Sequence, residues 1–127
     1  MTTEKYKENF KQEFIRRLIK YSVRIIKFCT EIRSNQELRA IADQLIRSGP
    51  SIGANYSEAQ SSSSKKEYIR YFEICLKSAN ESKYWLILVR QVSDAHREKA
   101  SELLKETEEL AKIIASSIRT MRGQNSI

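Results

Sequence analysis

One proline and three glycines are all that 127 residues contain, and the proline and two of the glycines fall within five positions, Gly49-Pro50-Ser51-Ile52-Gly53. Outside that window and a terminal Gly123, the chain lacks the two residue types that most disfavour a helix interior. A sandwich or barrel needs Gly and Pro at many tight turns, and this sequence cannot supply them. An all-α fold is therefore expected. Charged residues at 31% and hydrophobic residues at 40% give the balance of a helical soluble protein, and the length suits a single domain.

The apolar pattern divides the chain into four long helices, at about 9–33, 35–60, 65–92 and 95–122. In the first, Phe14, Ile15, Leu18, Ile25, Ile26, Phe28, Cys29 and Ile32 recur three or four apart. Ser34-Asn35-Gln36-Glu37 has the S-x-x-E form of a capping box, and the second helix turns Leu38, Ile41, Ala42, Leu45 and Ile46 inward. Ser64-Lys65-Lys66-Glu67 repeats the cap before a third helix with Tyr68, Phe72, Cys75, Ala79, Leu86 and Val89. Ser93 or Asp94 can cap the fourth, whose stripe runs from Leu103 to Met121 before Gly123 permits a stop; the residues beyond read as a frayed tail. Long helices with short connections predict an up-down-up-down four-helix bundle.

The Gly-Pro window then falls inside the second helix. Pro50 has no N–H for the Ile46 carbonyl and crowds the preceding turn, so the helix is expected to bend there and continue through Ile52, Tyr56 and Ala59. Gly53 costs roughly 1 kcal/mol of helix propensity relative to Ala. Close approach of a neighbouring helix is the expected compensation.

Several function classes are excluded or disfavoured. No apolar run approaches the length of a membrane span, the N-terminus lacks a signal-peptide core, and the cytoplasm is the expected location. Cys29 and Cys75 stand far apart with no cluster of ligands and read as reduced core residues. A single histidine, His96, cannot build the paired E-x-x-H sites of di-iron bundles. G-x-x-x-x-G-K-[ST], G-x-G-x-x-G and G-x-S-x-G are all missing from the sequence. No catalytic residue, metal or cofactor is expected.

The stretch PSIGANYSEAQSSSSKKEYIRYFEICLKSANESKYWLILV, Pro50 to Val89, resembles the four-helix bundle family first noticed as products of intervening sequences in bacterial 23S ribosomal RNA genes, and the related accessory variability determinant of diversity-generating retroelements. The resemblance extends from about Phe10 to Arg122. Many members read S-I-P-A-N-I-A-E-G here; Ser51, Ile52, Ala54, Asn55 and Glu58 match. Gly53 stands where Pro is common and Ala59 where Gly is common, which points to a subgroup. The resemblance implies a homopentameric barrel of bundles with a nucleic-acid role and no established enzymatic activity. Through the retroelement relative it implies binding to a reverse transcriptase and RNA.

Three groups of residues are candidates for function. Arg16, Arg17, Lys20, Arg24 and Lys27 share one strip of the first helix, opposite its apolar face. From Glu4 to Arg33 there are nine basic and four acidic residues, a surplus of five out of the chain's net +7. Such a strip can neutralise phosphates of RNA or DNA, be a solvated face, or meet the acidic strip of Glu98, Glu102, Glu106 and Glu109 on a neighbouring subunit. YWLILV, Tyr84 to Val89, is apolar all round the third helix, so Ile69, Tyr84, Trp85 and Leu88 are expected at an interface between copies. The alternative is a helix central to a monomer, and exposed tyrosines also offer base stacking. Pro50, Gly53, Asn55, Glu58 and Glu81 are read as a structural motif, with Asn55, Glu58 and Glu81 in a buried hydrogen-bond network that ties the bend to the third helix. The leading expectation is a non-enzymatic oligomeric scaffold that binds RNA or DNA through its first helix. A protein-binding adaptor for a nucleic-acid enzyme is the alternative.

Overall fold

Thr2 accepts a hydrogen bond from the Lys5 N–H at 3.1 Å and so starts a helix, α1, that runs from Thr3 to Ile32. It begins six residues before the expected start at residue 9, because a polar first stretch carries no apolar period to reveal it. The computed structural model describes residues 2–123, and the remaining helices are α2 (Arg39–Gln60), α3 (Lys65–Val92) and α4 (Arg97–Met121). The expected frayed tail runs from Gly123 to Ile127, and all of it after Gly123 lies outside the described residues.

Capping follows local chemistry with two departures from expectation. Ser64 accepts from the Glu67 N–H at 3.1 Å, as a cap for α3 should. Ser64→Ala is expected to cost about 1 kcal/mol in a denaturant titration, with the slope of the transition unchanged. At α2 the cap moves one residue: Asn35 accepts from the Glu37 N–H at 2.9 Å, while Ser34 donates back to the Glu31 carbonyl. Gln36–Leu38 forms a 3-10 turn before the α-helix proper. Neither Ser93 nor Asp94 caps α4 through its side chain, since α4 begins only at Arg97 and its N-cap, His96, makes no side-chain bond. Gly123, at φ 75°, adopts the left-handed conformation that ends α4.

Cross-helix pairings fix the topology. Arg17 meets Glu106 and Glu31 meets Lys99 between α1 and α4. Ser48 meets Ser82, and the Ile52 carbonyl accepts from Cys75 Sγ, between α2 and α3. Glu73 meets Arg122 between α3 and α4, and Gly49 and Gly53 face Ile25 and Leu18 between α2 and α1. In each of the three seams with two pairings, rising numbers on one helix meet falling numbers on the other, and the direction of α4 against α3 follows from these. The helices therefore run up, down, up, down around one core, with α1 and α4 the least closely packed neighbours.

The core holds Leu18, Ile25, Leu45, Ile52, Leu86, Leu110 and Ile114 at its centre. Its outline departs from the sequence pattern at two places in α1. Tyr21 is buried, whereas Ile26 is 42% exposed, since a residue adjacent to Ile25 lies roughly 100° away around the helix. Cys29 and Cys75 are free thiols in the core.

α2 continues unbroken through Pro50. Gly49 allows the approach to α1: a Cβ there would stand 2.8 Å from Ile25 Cγ2. At Gly53 the same test meets Leu18 Cβ at 3.3 Å, so the tighter of the two glycines is Gly49, not the one singled out in the sequence. On the other side of α2 a run of hydroxyls ties it to α3. Ser78 donates to Ser51 at 3.0 Å, and the Ser48 and Ser82 hydroxyls are 2.9 Å apart. Thr107 donates to the Leu103 carbonyl, which leaves its oxygen to accept from the Tyr21 hydroxyl at 2.6 Å.

Candidate functional site

The outer surface of α1 splits lengthwise by residue spacing. Arg16, Lys20, Arg24 and Lys27, at steps of four, four and three, form a ridge on the flank toward α4. Ile19, Val23 and Ile26, at steps of four and three, form an apolar stripe on the flank toward α2. Both are open to solvent: Arg16, Lys20 and Lys27 are exposed, Arg24 is half-buried, and Ile19 is 59% exposed.

Arg17, the fifth residue of the expected basic strip, is withdrawn from it. Its guanidinium donates to Glu106 at 2.8 and 2.6 Å and to Glu109 at 2.9 Å. The paired carboxylates raise its pKa further above the ordinary arginine value, against the opposing effect of burial. The acidic strip of α4 thus meets α1 within one chain, because α1 and α4 are antiparallel neighbours and Arg17 and Glu106 share a level. By contrast, none of Arg16, Lys20, Arg24 and Lys27 has an ion-pair partner among the described residues. Next to the ridge, Arg24, Lys27, Phe28, Lys99 and Glu102 surround a shallow notch of about 210 Å³.

α3 leaves part of its apolar circumference exposed, chiefly Tyr84 at 57% and Ile87 at 42%. Ile69, Trp85 and Leu88 are half-buried. Trp85 sits edge-on to Tyr84 with ring centroids 5.2 Å apart and donates its indole N–H to Glu81 at 3.0 Å. A second open stripe of similar exposure is on α1, which the sequence reading did not single out. Ile15, Ile19 and Val23 there wall a groove of about 230 Å³ with Gly53, Ala54 and Ser57 of α2. A second apolar period offset from the core period was the available signal.

The expected network of Asn55, Glu58 and Glu81 is corrected. Asn55 is half-buried and donates to the Ser51 carbonyl and hydroxyl, each at 2.9 Å. Glu58 and Glu81 are exposed, on the outer faces of their helices. Two carboxylates cannot be buried in that seam without cationic partners, and short hydroxyls bridge it instead. Serines at 48, 51, 78 and 82, spaced at three or four on both helices, were the legible signal. Pro50 is half-buried on the outer side of the same segment.

The 23S rRNA-intervening sequence protein family model matches residues 10–116. A solved structure from Bacteroides thetaiotaomicron, described as a protein of unknown function from the S23 ribosomal protein family, is 31% identical and superposes with a TM-score of 0.77. The match covers 83% of this chain and 97% of that one. No curated protein matches the sequence. The chain belongs to the 23S rRNA-intervening sequence protein family.

Proposed function

We propose that the protein is a non-enzymatic, self-associating scaffold that binds RNA or DNA through the ridge of Arg16, Lys20, Arg24 and Lys27. One observation carries the reading: of five aligned cations, Arg17 is held by two carboxylates, and the other four have no ion-pair partner among the described residues. Unpaired positive charge held on one rigid helix releases counterions on meeting phosphate, which gives affinity without sequence preference. Assembly is supported by the open stripe of Ile19, Val23 and Ile26 and by Tyr84 and Ile87, since large apolar patches are uncommon on soluble monomers. We read the assembly as a pentamer and α2 as bent at Pro50, in line with the family likeness. Repetition of a weak ridge around such a ring raises avidity. No described helix is long and apolar enough to cross a membrane, and two free buried thiols suit the reducing cytoplasm.

The Tyr84 and Ile87 face also favours a second reading, in which the protein is an adaptor for a nucleic-acid enzyme such as a reverse transcriptase. Anisotropy titrations with unrelated RNA and DNA oligomers separate the two. Direct binding predicts a steep loss of affinity between about 50 and 200 mM salt. Arg16→Glu, Lys20→Glu and Arg24→Glu together should weaken every sequence alike and lower the salt slope by about one per residue. Binding that ignores both salt and charge reversal rules out the ridge.

A further inference from the structure

Where α1 begins and α4 ends, the wide seam between them opens into a cleft of about 490 Å³. Three of the chain's six tyrosines and three of its four phenylalanines line it. Phe14, Tyr56 and Phe72 form the floor, all nearly buried, with Tyr56 edge-on to Phe14 at 5.0 Å and tilted against Phe72 at 5.4 Å. Tyr6 and Phe10 form the lip, 66% and 49% exposed. Lys7 and Lys11 share the same turns of α1 and line the same cleft. Burial keeps the Tyr56 phenol protonated well above its ordinary range. The Tyr68 hydroxyl, which accepts from Gln60 Nε2 at 3.2 Å, retains its own proton to donate.

The volume falls within the range of small-molecule sites, which are mostly apolar with a few placed polar groups. An aromatic floor and lip with cations beside them fit a ligand that is flat and apolar at one end and anionic at the other. An acyl chain carries the charge but not the flat face, and the open side of the cleft gives it no channel.

We propose that this cleft takes an unpaired nucleobase with its attached phosphate, the ring lying on the aromatic wall and the phosphate on Lys7 and Lys11. The proposal rests on the nucleic-acid reading above and adds a single-strand element to it, because a base paired in a duplex must first be unpaired and unstacked, at a cost in free energy, to enter. The ridge supplies phosphate contacts; the cleft holds one base.

The test is calorimetric titration of the full chain with 5′-AMP, adenosine and ribose 5-phosphate. AMP should bind at least about tenfold more tightly than either fragment, as expected when stacking and charge act together. Phe10→Ala should remove most of that advantage, as should Lys7→Glu with Lys11→Glu. All three positions are at least partly open to solvent, and thermal melting confirms that the variants fold. Arg16→Glu, Lys20→Glu and Arg24→Glu should leave AMP binding unchanged. If those reversals abolish binding to long RNA while AMP still binds, both readings stand. AMP binding in a protein that ignores long RNA keeps the cleft and removes the ridge. AMP no tighter than ribose 5-phosphate, indifference to Phe10→Ala, or tighter binding of indole-3-acetate than of AMP each overturns the proposal.

Discussion

Gly49→Val is expected to lower stability by about 3 kcal/mol, at the upper end of the cost of inserting atoms into a packed interior. For a domain of this size that is a fall of about 10 °C in the thermal midpoint. The origin is a single contact. Gly49 is buried against Ile25, and a Cβ would lie 2.8 Å from Cγ2, 3.2 Å from Cγ1 and 3.3 Å from Cβ of that residue. All three atoms belong to the stiff, branched base of the isoleucine, which has one strongly preferred rotamer in a helix and cannot swing away. Ile25 is itself fully buried, so α1 and α2 must move apart. Helix propensity works the other way, but restoring a side chain in place of Gly returns at most about 1 kcal/mol, so the overpacking decides the sign. Gly53→Ala makes the contrast: its nearest neighbour is at 3.3 Å, the propensity gain offsets a small adjustment, and the expected change is within about 1 kcal/mol of zero. A cycle with Ile25→Ala should show strong coupling to Gly49→Ala, since removing both Cγ atoms removes the collision. A Gly49→Val protein that melts with the parent would mean that the helices are not held by this contact.

The helices were legible in the sequence because a core-facing stripe repeats at helical spacing, and the Ser64 cap was legible because S-x-x-E names its own bond. What the stripe does not contain is the identity of the neighbour. Arg17 and Arg16 look alike in the chain, yet one points at α4 and is neutralised while the other points away, a difference that depends on the level at which α1 and α4 pass. Glu58 and Glu81 were misread for the same reason. A carboxylate beside a bend invites a buried role, but the angle of each helix to its neighbour leaves both on the outside. Ile19 and Val23 were overlooked because the strong core period hides a weaker one on the adjacent flank. The terminal cleft was invisible in principle: Phe10, Tyr56, Tyr68 and Phe72 come from three helices and meet only at one end of the bundle.

Above pH 9 the fold is expected to lose stability steeply, through four core groups that it holds neutral. Burial pushes the thiols of Cys29 and Cys75 up to about 12 from 9.0 and the Tyr21 hydroxyl up to about 12 from 10.0, and it raises Tyr56 as well. Each is an acid whose protonated form the fold prefers. Its contribution is therefore complete below its ordinary value, where folded and unfolded chains are both protonated. As pH rises past that value the unfolded chain ionises first, binds fewer protons than the native one, and gains about 1.4 kcal/mol per pH unit for each such group. The two thiols act from about pH 9 to 10, giving up to roughly 3 kcal/mol per pH unit together; the two tyrosines join above 10. By pH 11 the four groups together should remove roughly 8 kcal/mol, against a native stability of about 5 to 15 kcal/mol, so the fold should be marginal or lost there. Denaturant titrations from pH 8 to 10 weight the thiols, with an ordinary value of 9.0, over the tyrosines, with one of 10.0. In a Cys29→Ala, Cys75→Ala variant the pH slope over that interval should nearly vanish even though absolute stability drops from lost packing. A slope that survives the double substitution would show that groups other than the thiols carry it, and a parent without the slope would show that the thiols ionise in the folded bundle.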